Sequence, residues 1–98
     1  MTASVSFHEQ AEMELKEAAQ YYELEGEGLG RAFIDELEHA LRQIMEHPEA
    51  APQINNVVRR KLIRRFPYSV MYSIVNDTIR ILAVANQKRR PYYWRRRT

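Results

Sequence analysis

The stretch Tyr68-Ser-Val-Met-Tyr-Ser-Ile-Val-Asn-Asp-Thr-Ile-Arg-Ile-Leu-Ala-Val-Ala85 decides the fold of this 98-residue chain. It contains two runs rich in β-branched and aromatic residues, 68–74 and 78–85, with Asn76-Asp77 between them. Asn and Asp tolerate the positive φ angles of a tight hairpin turn. The sequence therefore predicts an antiparallel hairpin. Because both faces of the second run are largely apolar, we expect it to be a central strand.

Two further strands are predicted, and both precede this hairpin in the sequence. Residues 57–63 form a β-rich run, which Phe66-Pro67 separates from the hairpin. Pro67 must then lie at the start or edge of a strand, because proline cannot donate to a sheet ladder. At the other end, residues 3–7 alternate between apolar and polar side chains, as in a short half-buried strand.

Between the first strand and residue 57, the hydrophobic period becomes helical. One apolar stripe comprises Ala11, Leu15, Ala18 and Tyr22, and a second comprises Phe33, Leu37, Ala40 or Leu41, and Ile44. The first helix begins near Glu9, with a Ser6–Glu9 capping box or His8 as its N-cap, and stops near Gly26. Gly28 and Gly30 mark a tight connection, and Pro48 ends the second helix.

The elements together predict an α+β fold in the order β-α-α-β-β-β, with a helical hairpin on an antiparallel three-stranded meander. Residues 1–98 are long enough for a single domain, in which 88–98 form a basic aromatic tail. There is no membrane span or signal sequence, so we expect a cytoplasmic protein. The chain lacks cysteine, and its three histidines lack ligand spacing, so neither a metal nor a cofactor is expected.

The formal charge of +2 is an average of two opposite halves. Residues 1–50 carry 12 acidic and 3 basic side chains, a balance of −9, whereas residues 51–98 carry 12 basic side chains and Asp77, a balance of +11. The glutamates lie mostly on the outer faces of the predicted helices and are typical of solvated surfaces. A basic surface with almost no acid indicates an anionic partner.

Arg80 is the unusual residue of the predicted central strand, because its neighbours favour burial on both faces. A partly buried arginine needs a partner. We favour a position on a ligand-accessible sheet face over the alternative, a structural ion pair with a helix glutamate.

In the tail, 88–98, the aromatic residues 92–94 lie between two basic runs, 88–90 and 95–97. Arginine binds phosphate in a forked geometry, and aromatic rings can stack on bases. For Trp94 we favour a position in the core, as a lid. The candidate residues for binding a target or a partner are Arg59, Arg60, Arg64, Arg65, Arg80, Arg90, Tyr92 and Trp94.

The basic half of the chain, 51–98, has few side chains suited to ribonuclease chemistry. This chemistry requires proton removal, leaving-group protonation and stabilisation of a charged phosphorane. Arginines meet the last need, but with no histidine after residue 50, proton transfer falls to Lys61, Lys88, Tyr92 or Tyr93. A non-catalytic binder explains the same residues without proton transfer.

Several segments in a fixed order resemble one known family. They are Glu9-Gln-Ala with Tyr21-Tyr22-Glu23, Gly28-Leu29-Gly30, His47-Pro48, Arg65-Phe66-Pro67-Tyr68 with Val70 and Tyr72, and 79–84. Together they resemble RelE/ParE toxins of type II toxin–antitoxin systems across nearly the whole chain. The resemblance implies the same topology and a bacterial growth-inhibiting toxin, associated with plasmid stabilisation, that a neighbouring gene's antitoxin neutralises.

The resemblance leaves the cellular target open. RelE-like members are ribosome-dependent mRNA endonucleases, a role for which this chain offers Lys61, Arg65, Arg80, Lys88, Arg89 and Tyr93, or Tyr92 in place of Tyr93. A basic residue usual in those members is replaced by Ser69. The 65–72 segment is closer to ParE-like members, which inhibit DNA gyrase without cleaving nucleic acid. We therefore favour a gyrase-binding toxin, with a ribosome-bound mRNA endonuclease as the alternative and an inactive, antitoxin-binding toxin as a third interpretation.

Overall fold

The computed structural model describes residues 4–90 and 92–97, and the predicted strand start at Ala3 and the tail residues Pro91 and Thr98 lie outside them. The elements are β1 (Ser4–Phe7), α1 (Glu9–Glu25), α2 (Leu29–Glu46), β2 (Arg59–Leu62), β3 (Tyr68–Val75), β4 (Thr78–Asn86) and a 3₁₀ turn (Arg95–Arg97). The predicted α+β order is confirmed. Residue 57, predicted to begin β2, instead lies in a turn in which Asn55 Oδ1 accepts from the Val57 and Val58 N–H groups.

The four strands form one open mixed sheet in the order β1-β4-β3-β2. β2, β3 and β4 are the predicted antiparallel meander, and β1 adds to β4 in parallel. The predicted hairpin turn is present, with Asn76 at φ 56°. β4 is central, as its two apolar faces predict.

Both helices lie on one side of the sheet, which we call the helix face. Their predicted stripes are confirmed, since Ala11, Ala18, Phe33, Leu37, Ala40 and Ile44 are all buried there. His8, rather than the Ser6–Glu9 capping box, caps α1 by accepting from the Gln10 N–H through Nδ1. Ser6 is unavailable because the strand continues through it to Phe7.

The helix connection is shorter than the glycine spacing suggests. Gly28, at φ 86°, is the residue before α2, whereas Gly30 lies inside α2 and is buried. A Cβ at Gly30 would lie 2.7 Å from the Ala19 carbonyl oxygen, so glycine is what permits the close approach of α1 and α2 at this point.

The opposite side of the sheet, which we call the outer face, has a second core. It contains Val58, Met71, Leu82, Ala83, Ala85 and Trp94. A bulge lies in β4, where Ile81 pairs with Tyr72 but Ala83 pairs with Met71. Unbroken alternation along β4 would place Ala83 on the same face as Ile79 and Ile81, but the bulge shifts the alternation and moves Ala83 to the outer face. Val84 lies on the helix face instead.

Candidate interaction surface

The outer face is the part of the sheet that the tail crosses. Trp94 is buried there at 2% exposure, as the core-lid interpretation expects. Its ring lies 5.6 Å from that of Tyr92, which stays 44% exposed. The tail therefore covers part of the outer face with its aromatic rings, and its basic side chains lie around them.

A groove of about 550 Å³ lies between β2 and the tail, and we call it the outer groove. Its apolar lining includes Leu62, exposed at 56%, and Met71. Arg60, Arg89 and Arg90 also line it. An apolar floor beside arginines suits a partner that is both apolar and acidic.

The tail is fixed to the rest of the fold by Glu14 of α1. Arg97 forms a bidentate pair with this carboxylate, at 2.8 Å from Nη1 to Oε1 and 3.1 Å from Nη2 to Oε2. Both side chains are only 11% exposed. The Tyr93 hydroxyl donates to Glu14 Oε2 at 2.7 Å, and Arg89 Nη1 lies 3.7 Å from the same oxygen. We call these four residues the Glu14 cluster.

The Glu14 cluster also completes an unpaired edge of β4. β1 accompanies β4 only as far as Ile81, whose carbonyl accepts from the His8 N–H. Beyond that point the Leu82 carbonyl accepts from Arg97 Nη1 at 3.1 Å, and the Val84 N–H donates to Glu14 Oε1 at 3.0 Å. One ion pair thus supplies an acceptor and a donor where a strand is missing, which protects the edge.

Tyr93 is held on two sides within the Glu14 cluster. The guanidinium of Arg89 lies 3.8 Å above the centre of its ring. Burial, and then the hydrogen bond to Glu14, raise the pKa of Tyr93 above its ordinary range. The hydroxyl therefore stays protonated at neutral pH, with its proton directed at Glu14.

The predicted catalytic residues separate into several places. Lys88 and Arg89 line one cleft beside α1, and Tyr93 contacts Arg89. Lys61 pairs with Val70 on the helix face, whereas Arg80 lies on the outer face, since its neighbours Ile79 and Ile81 are both in the helix-face core. The sheet separates Lys61 from Arg80.

Arg80 does not form the helix-glutamate ion pair that was the alternative for it. Its side chain points away from the helices, and its Nη1 lies 3.4 Å from Ser6 Oγ. The arginine that does pair with a helix glutamate is Arg97. Of the two interpretations, position on the helix-free face is the one that the structure supports.

The remaining predicted arginines lie at the β2 end of the sheet. Arg59 donates to the Glu49 and Ala51 carbonyls, which fixes the loop after α2. Arg64 and Arg65 are exposed in the β2–β3 loop, where Arg65 has φ 71° and lies over the ring of Phe66. Their binding roles stay predictions.

Glu14 is the central residue that sequence reasoning missed, because the glutamates of α1 were treated as a solvated set. The signal was present in its spacing. Glu14 is three residues after Ala11 and four before Ala18, so it shares their buried side of the helix.

Comparison with known proteins agrees with this architecture. The profile of the family described as "ParE toxin of type II toxin-antitoxin system, parDE" matches residues 5–91. The chain belongs to the ParE toxin family. A search of curated proteins finds no match.

Among solved structures, this ParE-family chain is similar to one described as "Chromosomal ParDE TA system from P. aeruginosa". The TM-score is 0.63 at 15% identity, over 87% of this chain and 96% of the other, which supports the shared fold. Neither helix of the described part is long and apolar enough to cross a membrane. Within residues 4–90 and 92–97, no three His, Asp or Glu side chains are grouped to hold a metal ion.

Proposed function

We propose that this ParE-family toxin inhibits growth by binding DNA gyrase, without itself cleaving nucleic acid. The observation that carries the proposal is the separation of its candidate catalytic groups. Lys61 and Arg80 lie on opposite faces of the sheet, and the Tyr93 hydroxyl is committed to Glu14. General acid–base catalysis needs its groups within hydrogen-bond reach of one reacting phosphate. The separation of these groups therefore favours a toxin that binds its target over one that cleaves nucleic acid.

A second candidate is a ribosome-dependent mRNA endonuclease, and one observation favours it. Arg89 contacts Tyr93, and Lys88 lines the same cleft as Arg89, so two cations and a hydroxyl lie close together. If these groups cleave RNA, Tyr93→Phe abolishes cleavage because it removes the only hydroxyl of the group. If the toxin binds gyrase, the same variant remains toxic.

We also propose a cognate antitoxin as the partner that neutralises the toxin. The outer groove combines Leu62 and Met71 with Arg60 and Arg90, in a half of the chain that carries a balance of +11. An acidic, amphipathic segment would match both features. Leu62→Glu adds a charge to an exposed strand position and should weaken that complex. A neutralising partner whose binding segment is basic would contradict the proposal.

Induction of the toxin alone separates the two targets in one culture. We expect a DNA-damage response with intact transcripts, because a gyrase-bound toxin interferes with DNA topology. Transcripts cleaved in the ribosomal A site, with no DNA-damage response, would overturn the gyrase proposal and support the endonuclease. Expression without growth arrest would contradict both and leave an inactive toxin that only binds antitoxin.

A further inference from the structure

Three tail arginines converge on a second hollow, which adjoins the outer groove and shares Arg90, Tyr92 and Tyr93 with it. Arg90, Arg95 and Arg96, with Tyr92 and Tyr93, line a space of about 340 Å³, which we call the arginine hollow. All three arginines are exposed. Among residues 4–90 and 92–97, none of them has a carboxylate within 4.0 Å, whereas Arg89 and Arg97 share Glu14. The fold thus pairs two tail arginines with one shared carboxylate and leaves three directed at solvent.

Contacts within the chain itself hold the arginine hollow in place before any partner binds. Arg97, next to Arg96, is fixed by its bidentate pair with Glu14. On the other side, the buried Trp94 supports the exposed ring of Tyr92. Since the ends of the 3₁₀ turn are fixed in this way, Arg95 and Arg96 project from a preformed turn, and little backbone ordering remains to be done on binding.

The composition of the arginine hollow favours nucleic acid over an acidic peptide. Among residues 4–90 and 92–97, those that line it are three arginines and two tyrosines, with no aliphatic side chain. The outer groove, by contrast, offers Leu62, Met71 and Ile54, which suit the apolar anchors of a peptide. Arginine forks match phosphate oxygens, and an exposed tyrosine face suits a sugar or a base.

We propose that the arginine hollow grips the phosphodiester backbone of DNA, so that the toxin contacts DNA directly as well as through a protein target. The choice of DNA among polyphosphates rests on the proposed action at gyrase, whose substrate is DNA. The arginines do not distinguish one base sequence from another in this arrangement, because contacts to phosphate carry no sequence information. Binding is therefore expected to be sequence-independent and strongly weakened by salt.

The test is fluorescence anisotropy of a labelled duplex oligonucleotide with the purified toxin, without gyrase, across a range of salt concentrations. Each phosphate contact contributes about 0.9 to the slope of log K against log salt. Replacing Arg90, Arg95 and Arg96 by alanine should reduce that slope by about 3 and weaken binding more than roughly tenfold at low salt. Replacing all three by lysine should keep the slope within about 1, because lysine also neutralises phosphate.

The matched control removes three cations from the helices, by Lys16→Ala, Arg31→Ala and Arg42→Ala. The net charge changes by the same amount, but these side chains lie on α1 and α2, where Lys16 and Arg31 form exposed pairs with Glu12 and Asp35. The slope should stay unchanged. An equal loss in both triple variants would overturn the proposal, because it would show an effect of net charge alone.

Two further measurements compare DNA with other polyanions in the same binding assay. Polyglutamate of matched charge should compete poorly, and equal competition would mean an acidic-peptide site and overturn the proposal. Tighter binding to single-stranded RNA than to the duplex DNA would also overturn it. Since the binding assay contains no gyrase, a wild-type toxin that inhibits gyrase but does not bind DNA would refute this inference alone. DNA binding by a toxin inactive on gyrase would refute only the proposed function.

Discussion

Removing the charge of Glu14 should release the tail while leaving the sheet and helices folded. In Glu14→Gln, the Arg97 guanidinium loses its anionic partner at a site where both side chains are 11% exposed. Arg97, which also donates to the Leu82 carbonyl, is left as an uncompensated charge in a largely buried place. Breaking one partner of a buried pair costs about 3–5 kcal/mol. Since both groups keep some contact with water, we expect about 3 kcal/mol, limited by the free energy of docking the tail.

The assay uses Trp94, which is the only tryptophan of the chain and is 2% exposed. Urea unfolding followed by Trp94 fluorescence should show the loss of stability in Glu14→Gln. The emission of Trp94 should shift to the red at a lower urea concentration than the one at which the far-ultraviolet circular dichroism changes. Glu12→Gln is the control, because its pair with Lys16 spans 3.6 Å at 58% and 71% exposure. Such an exposed i,i+4 pair contributes less than about 0.5 kcal/mol.

A double-mutant cycle of Glu14→Gln with Arg97→Met isolates the interaction. We expect a coupling free energy of about 2 kcal/mol, with the double variant less destabilised than the sum of the single variants. A coupling below about 0.5 kcal/mol would refute the reasoning. So would a Trp94 emission that stays unchanged in Glu14→Gln, because the tail would then be docked without the ion pair.

Two further perturbations test the close contacts of the fold. Gly30→Ala places a Cβ 2.7 Å from the Ala19 carbonyl and 3.0 Å from Glu23 Oε1, so we expect about 1–3 kcal/mol of destabilisation in thermal unfolding, and an unchanged Tm would contradict this contact. The pKa of Tyr93 is raised by burial and by Glu14, so the docked tail favours the protonated hydroxyl. The resulting stabilisation of tail docking is complete below the ordinary pKa of 10.0 and is lost as pH rises above that value. Tyr93→Phe should therefore weaken tail docking at pH 8 and reduce the loss of docking above pH 10.0, and an alkaline profile identical to that of the wild type would contradict this assignment.

Much of the fold follows from local patterns in the sequence. The two helical stripes require a common apolar surface, and the β-branched and aromatic runs 68–74 and 78–85 around Asn76-Asp77 provide it. The parallel pairing of β1 with β4 was not predicted, because it joins residues 74 positions apart with no turn between them to fix the register. The bulge after Ile81 was also missed, since an unbroken apolar run looks alike on both faces.

The candidate surface was less predictable than the fold. Charge alone located it in the second half, but it gave no reason to choose Arg97 over Arg80 as the partner of a helix glutamate. That choice depends on β1 ending at Phe7, which leaves the Leu82 carbonyl and the Val84 N–H to be satisfied by side chains. Such an unpaired edge becomes visible only when the sheet is assembled.

The measurement that tests the central claim most directly is negative supercoiling of relaxed plasmid by purified DNA gyrase, with the purified toxin added. We expect the toxin to inhibit supercoiling in proportion to its concentration, to spare a topoisomerase of another class, and to remain inhibitory as Tyr93→Phe. Gyrase activity that is unchanged at saturating toxin would contradict the proposed function, and the contradiction would be complete if the same preparation cleaved ribosome-bound mRNA.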